Sequence, residues 1–270
     1  MSQTATDTEP VLLEETEHGV RILRLNRPKK KNALSTELTS AIVRAVEEAA
    51  ADDAIRVVGI TGVGDAFCSG ADLNPGKRPP GGSAPAAEPI EEAAVRLVTG
   101  IRVGCEKPVV AGIGGIAIGA GLSLAMCADM RIASSSARFH PGYARAGTSP
   151  DCGLSWTLPR AIGHERAMRF LLELEMIDAD AALALGLVGE VVPAADFEGA
   201  FLGYCQRIAE VAPLASRQTK SLVTRVGLLD DVEAHLREEL RLARRGLASA
   251  DGKEAVRAIM EKRKPEFKGS

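Results

Sequence analysis

The sequence predicts an α/β fold with largely parallel strand pairing, on three observations. Apolar runs of strand length alternate with amphipathic helical stretches through the first two thirds of the chain. Val57-Val58-Gly59-Ile60 is a continuous, mostly β-branched run, as a strand covered on both faces requires. Glycine-rich turns follow the apolar runs, where strand-to-helix junctions belong.

In chain order, the polar opening MSQTATDTEP has no basic segment leading into an apolar core and reads as a frayed tail rather than a leader. Val20, Ile22 and the run to Leu25 alternate as a strand does, and Asn26-Arg27-Pro28 ends it. Ser35 then suits a helix N-cap, with Leu38, Ile42, Ala45, Val46 and Ala49 forming one apolar stripe. After the strand at Val57, Thr61-Gly62-Val63-Gly64 turns the chain. Asn74 to Pro89 is too dense in proline, glycine and alanine for regular structure and reads as a loop. A helix over 89–103, a strand over 108–113, a glycine-interrupted turn and a helix ending near Cys127 follow, then a short strand at Met130–Ala133. Beyond about Asp196 only amphipathic helical pattern remains, to Lys264. No repeat of fixed period is present.

Bulk composition narrows the function. With 46% hydrophobic and 26% charged residues over 270 positions, the chain can bury a substantial core. A net charge of -3 gives no general attraction to nucleic acid or anionic membrane, so no nucleic-acid partner is expected. Five scattered cysteines form no zinc-type pair and read as reduced thiols in a cytoplasmic protein; no metal site is expected. The one stretch long enough to suggest a membrane span, 109–128, is broken by five glycines and reads instead as buried strand, turn and helix.

Two turns carry the candidate chemistry: Ala66-Phe67-Cys68-Ser69-Gly70-Ala71-Asp72-Leu73 and Gly115-Ile116-Ala117-Ile118-Gly119-Ala120-Gly121-Leu122. Each follows a buried strand, and glycine there lets main-chain amides approach a ligand closely. Together they are candidates for an oxyanion hole; tight packing alone would also account for either one. Neither GxGxxG at the first strand-helix junction nor GxxxxGK with Ser or Thr is present, which lowers the case for dinucleotide binding and phosphoryl transfer.

The order and neighbours of these turns resemble the enoyl-CoA hydratase/isomerase, or crotonase, superfamily. Leu25-Asn26-Arg27-Pro28-Lys29, Asn32-Ala33-Leu34, the two glycine turns, Gly186-Leu187-Val188 with Val191-Val192-Pro193, and Glu261-Lys262-Arg263 with Pro265 match its landmarks in order. The resemblance implies a spiral of ββα units over residues 1–195 holding a CoA site, and a helical region over 196–270 that assembles homotrimers or hexamers built as dimers of trimers. It implies an acyl-CoA substrate, with no cofactor beyond coenzyme A as part of that substrate. It sets the N–H groups of Ala71 and Ala120 against the thioester oxygen. It lays Lys29, Ala33, Leu34, Ala71, Asp72 and Leu73 along the CoA moiety, with Phe267 and Lys268 resembling a tail that in some relatives reaches a neighbouring subunit's CoA.

The chain departs from that pattern where the family's hydratases carry two glutamates: Ser123 and Tyr143 stand there. Serine alone cannot remove a proton near neutral pH, and tyrosine, with a reference pKa of about 10, serves better as a donor. Asp151 lies near the position where some family isomerases and aryl-CoA dehalogenases place a working aspartate. Its alternative role is an N-cap, since it precedes a helical pattern at Cys152–Leu158. His140 reads as a packed ring or a proton shuttle, and Trp156 as core or pocket wall. Three readings follow: an isomerase using Asp151, a hydratase using Ser123, Tyr143 and Asp151, and a non-catalytic acyl-CoA binder.

Overall fold

The structure, a computed structural model, describes residues 9–72, 90–146, 148–224, 245–246, 248–261 and 263–269. Leu73, the 74–89 loop and the amphipathic stretch 232–242 lie outside the described residues.

Two antiparallel strands open the fold, β1 (Leu12–Glu17) and β2 (Val20–Leu25). The sequence reading missed β1, because only Leu12 of its LLEETE is buried and its edge position needs no apolar alternation. Helix α1 (Thr36–Ala51) begins at Ser35, whose hydroxyl accepts from the Leu38 N–H, as its cap pattern predicts.

Three strand pairs then repeat one design: β3 (Val57–Gly62) with β4 (Ala66–Cys68), β5 (Val109–Ile113) with β6 (Ile116–Ile118), and β7 (Met130–Ser134) with β8 (Arg138–His140). The first member of each pair joins a six-stranded sheet and the second a four-stranded sheet. The large sheet is completed by β10 (Glu190–Val192), giving the order β1-β2-β3-β5-β7-β10, and the small one by β9 (Ile177–Asp178), giving β4-β6-β8-β9. Every neighbouring pair is parallel except β1 with β2 and β8 with β9. The helix α2 (Ile90–Thr99) follows β4, α3 (Ala120–Cys127) follows β6, and α4 (Leu154–Ile162) follows β8. This is the spiral of ββα units. The apolar stretch 109–128 is therefore β5, β6 and α3, and no described helix is long and apolar enough to cross a membrane.

The large sheet is apolar on both faces. On one, Leu23, Val58, Ile60, Val109 and Ile113 join the main core with α1 and α3. On the other, Ile22, Val57, Val110 and Ile132 meet Phe201 of α7 (Phe197–Ala209). Gly59 and Gly112 make that contact possible, since a Cβ at either would fall within 3 Å of the Phe201 ring. The remaining helices among the described residues are α5 (His164–Glu173), α6 (Ala179–Leu185), α8 (Pro213–Thr224) and α9 (Ala250–Glu261). The helix read over 89–103 is present as α2 continued by a π-helix at Gly100–Gly104, a widening that the sequence did not show.

Candidate active site

The two glycine turns meet at the carboxyl ends of β4 and β6. Gly70, with φ +102, lies so close to the second turn that a Cβ on it would sit 2.9 Å from the Ile118 carbonyl and 3.6 Å from the Ala120 nitrogen. A Cβ on Gly121 would collide with the Cys68 carbonyl. Both positions therefore admit only glycine without moving backbone, and that contact sets the separation of the turns.

Each turn presents an amide. Leu34 makes both hydrogen bonds of an isolated parallel bridge opposite Ala71, donating to Gly70 O (2.8 Å) and accepting from Asp72 N (2.9 Å). That pattern turns the N–H of Ala71 away from Leu34. Ala120 is the first residue of α3, where an N–H has no intrahelical acceptor and the helix dipole favours negative charge. Neither N–H donates a hydrogen bond among the described residues. Ala71 and Ala120 both line one cavity of about 740 Å³, together with Leu34, Leu97, Val98 and Asp151.

The turn before Ala71 is braced from beneath. Arg27 forms an ion pair with Asp72 at 2.7 Å, where the Asp72 side chain is 5% exposed. Asn32, fully buried with φ +55, accepts from Arg27 N (2.9 Å) and donates to Val63 O (3.0 Å) and Ala66 O (2.8 Å). Asp72 thus lines the cavity with its carboxylate already engaged. Arg27 and Asn32 stand in the sequence among the landmarks of the family resemblance, but their positioning role was missed, because the contacts that show it join residues far apart in the chain. Lys29 and Lys30 are exposed on the 3-10 turn Pro28–Lys30, Lys31 pairs with Asp65, and Ala33 is buried. None of these four lines the cavity.

Asp151 is not a helix cap. Helix α4 starts at Leu154 with Gly153 (φ 75) before it, no side chain caps it, and Asp151 contributes only its carbonyl, to Leu154 N at 3.0 Å. Two consecutive positive-φ residues, Cys152 (φ 46) and Gly153, carry the helix start past the reach of the carboxylate. The Asp151 side chain instead accepts from the Tyr143 hydroxyl, 2.6 Å from Oδ1, and that hydroxyl lies 2.7 Å from Ser123 Oγ. Ser123 and Tyr143 are buried and absent from the cavity wall, whereas Asp151 is exposed on it. Burial, and then the bonded Asp151 carboxylate, push ionisation of Tyr143 far above the ordinary phenol range. Burial first, and the Asp151 carboxylate next, push the Cys152 thiol up to about 12, so it stays protonated beside the cavity.

The other candidates lie elsewhere. His140 is buried with Nε2 2.9 Å from Leu174 O, a packed ring bridging β8 to the end of α5. Trp156 stacks against Arg160 at 4.3 Å and Arg102 at 5.4 Å, off the cavity wall. The Phe267 carbonyl accepts from Arg56 at 2.8 Å, and the Lys268 and Gly269 amides bind the Asp251 carboxylate. This tail borders a second cavity of about 410 Å³ with Arg56 and Arg217.

These features define an α/β spiral whose wall brings two amides, the Arg27-paired Asp72 and the Asp151 carboxylate to a single cavity. The enoyl-CoA hydratase/isomerase family model matches residues 15–270, and the chain belongs to that family. A Rhodobacter capsulatus protein named probable enoyl-CoA hydratase is 38% identical over 265 residues, covering 94% of this chain and 96% of that one. The 1,2-epoxyphenylacetyl-CoA isomerase of Escherichia coli is 32% identical over 271 residues, covering 96% and 98%. The crystal structure of an enoyl-CoA hydratase from Bacillus anthracis superposes with a TM-score of 0.85 at 29% identity, covering 96% of this chain and all of that one.

Proposed function

We propose that the protein is an isomerase of enoyl-CoA thioesters that moves a double bond by proton transfer. The observation that carries this reading is the position of the Asp151 carboxylate on the same cavity wall as Ala71 and Ala120. With the thioester oxygen between the two amides, negative charge that develops there is met by preorganised donors, each worth about 3 kcal/mol in the transition state. Asp151 takes a proton from one carbon of the acyl chain, the electron pair passes into a dienolate held at the oxyanion, and the same proton returns at the other end of the conjugated system. Atoms and electrons balance within the substrate, so no cofactor beyond its CoA moiety enters the reaction.

The chain's relatives bear hydratase and isomerase names alike, so the test scores both reactions. Purified protein is offered a panel of 2-enoyl and 3-enoyl thioesters, with double-bond migration and water addition followed separately. Asp151→Asn is expected to lower migration by about 10²- to 10⁴-fold with CoA-thioester binding retained. Unimpaired migration in that variant removes Asp151 from the mechanism. Water addition as the main reaction would establish the hydratase reading, and binding without turnover the carrier reading.

A further inference from the structure

We infer that Ser123 and Tyr143 are positioning residues forming a one-way hydrogen-bond relay, Ser123 to Tyr143 to Asp151, that ties down one oxygen of the carboxylate and leaves the other to face the cavity. The inference rests on the isomerase reading only for its kinetic consequence; the relay itself stands on geometry.

Hydrogen accounting sets the direction. An ionised carboxylate only accepts, so the 2.6 Å contact between Tyr143 and Asp151 Oδ1 uses the single phenol proton. The Tyr143 oxygen must then accept in its 2.7 Å contact with Ser123, which fixes the serine hydroxyl as donor. Two carbonyls, Gly119 O and Asp151 O, also lie within reach of the Ser123 hydroxyl at 3.2 Å and compete for its one proton, which the shorter 2.7 Å contact directs to Tyr143. The relay thus starts one turn into the helix whose first amide belongs to Ala120, and it spans to the turn that carries Asp151. Both relay members are buried, so water does not compete for these bonds. Among the described residues no N–H or O–H donates to Asp151 Oδ2; besides the Tyr143 hydroxyl, the carboxylate has a side-chain hydrogen bond with the Cys152 thiol, a weak donor. A proton taken from the substrate therefore resides on Oδ2 and is returned from it, while Tyr143 keeps its own proton.

Two measurements test this, one of them without turnover. A fluorinated tyrosine placed at 143 brings phenol ionisation into an accessible pH range, read by ¹⁹F NMR. Asp151→Asn is expected to shift that ionisation to lower pH, because the carboxylate no longer holds the phenol proton in place. Ser123→Ala is expected to shift it to higher pH, because a donor to the phenolate is lost. Shifts of the same sign, or none, overturn the relay. In the kinetic arm, Tyr143→Phe is expected to lower kcat about tenfold or more with KM unchanged, and Ser123→Ala about three- to fivefold. Because serine acts through tyrosine, adding Ser123→Ala to Tyr143→Phe is expected to cost nothing further. An equal loss in both backgrounds overturns the relay. If the wild-type protein moves no double bond while the two fluorine shifts keep their opposite signs, the relay stands and the isomerase reading falls.

Discussion

At the residue scale, the site depends on what is missing as much as on what is present. Gly121 carries no side chain because the Cys68 carbonyl occupies the place of its Cβ, and this contact spaces the two candidate oxyanion amides. Gly121→Ala is therefore expected to separate the turns. Overpacking against backbone costs about 1–3 kcal/mol, seen as a lower midpoint in chemical denaturation, and kcat is expected to fall at least 10²-fold through loss of one aligned donor. A variant that is destabilised yet retains full kcat would show that the turns do not act as a pair. The glycines of these turns were legible in the sequence, and so was the oddity of Ser123 and Tyr143. Their mutual contact was not, because nothing in residue spacing alone brings residues 123, 143 and 151 within one hydrogen-bonded chain. The cap reading of Asp151 failed for a similar reason: the positive φ of Cys152, a non-glycine, leaves no mark in the sequence.

At the scale of elements, strands covered on both faces and a well-capped helix were readable, as β2, β3, β5 and α1 show. The small sheet was not, since β4, β6 and β8 are three residues each, too short for a period to appear. The π-turn after α2 was also hidden, and it ties the cavity wall to the C-terminal helices. Lys220 of α8 reaches Ile101 O (2.8 Å) and Lys107 O (2.9 Å) across this turn and pairs with Asp129 at 2.8 Å, its side chain 5% exposed. Asp129 also accepts from Val109 N (2.8 Å), and Arg102 stands 3.6 Å away. Lys220→Met leaves that carboxylate undercompensated and frees the turn that continues α2, whose Leu97 and Val98 line the cavity. The expected loss is about 3–5 kcal/mol in urea unfolding, with KM for the thioester raised several-fold. Unchanged KM at reduced stability would confine Lys220 to holding α8 in place.

At the scale of the whole molecule, the buried thiols make stability depend on alkaline pH. Burial pushes Cys68, Cys127 and Cys205 from an ordinary 9.0 up to about 12, with Cys68 and Cys127 in the main core and Cys205 under the large sheet. Below pH 9 each thiol is protonated whether the chain is folded or not, and the contribution of its burial is fully present. Between 9 and 12 the unfolded chain releases these protons while the folded chain keeps them, so rising pH favours unfolding. Each thiol adds a slope of about -1.4 kcal/mol per pH unit, and the three together a ceiling of about 4. Urea titrations at steps from pH 8 to pH 11 are expected to show this decline, and it should become shallower in Cys68→Ala and Cys127→Ala. Because alanine also leaves cavities, the variants start from a lower plateau at pH 8, and the comparison lies in the slopes. A slope unaltered by either substitution would mean that these thiols ionise without unfolding, and that the core opens to water at the base of the site.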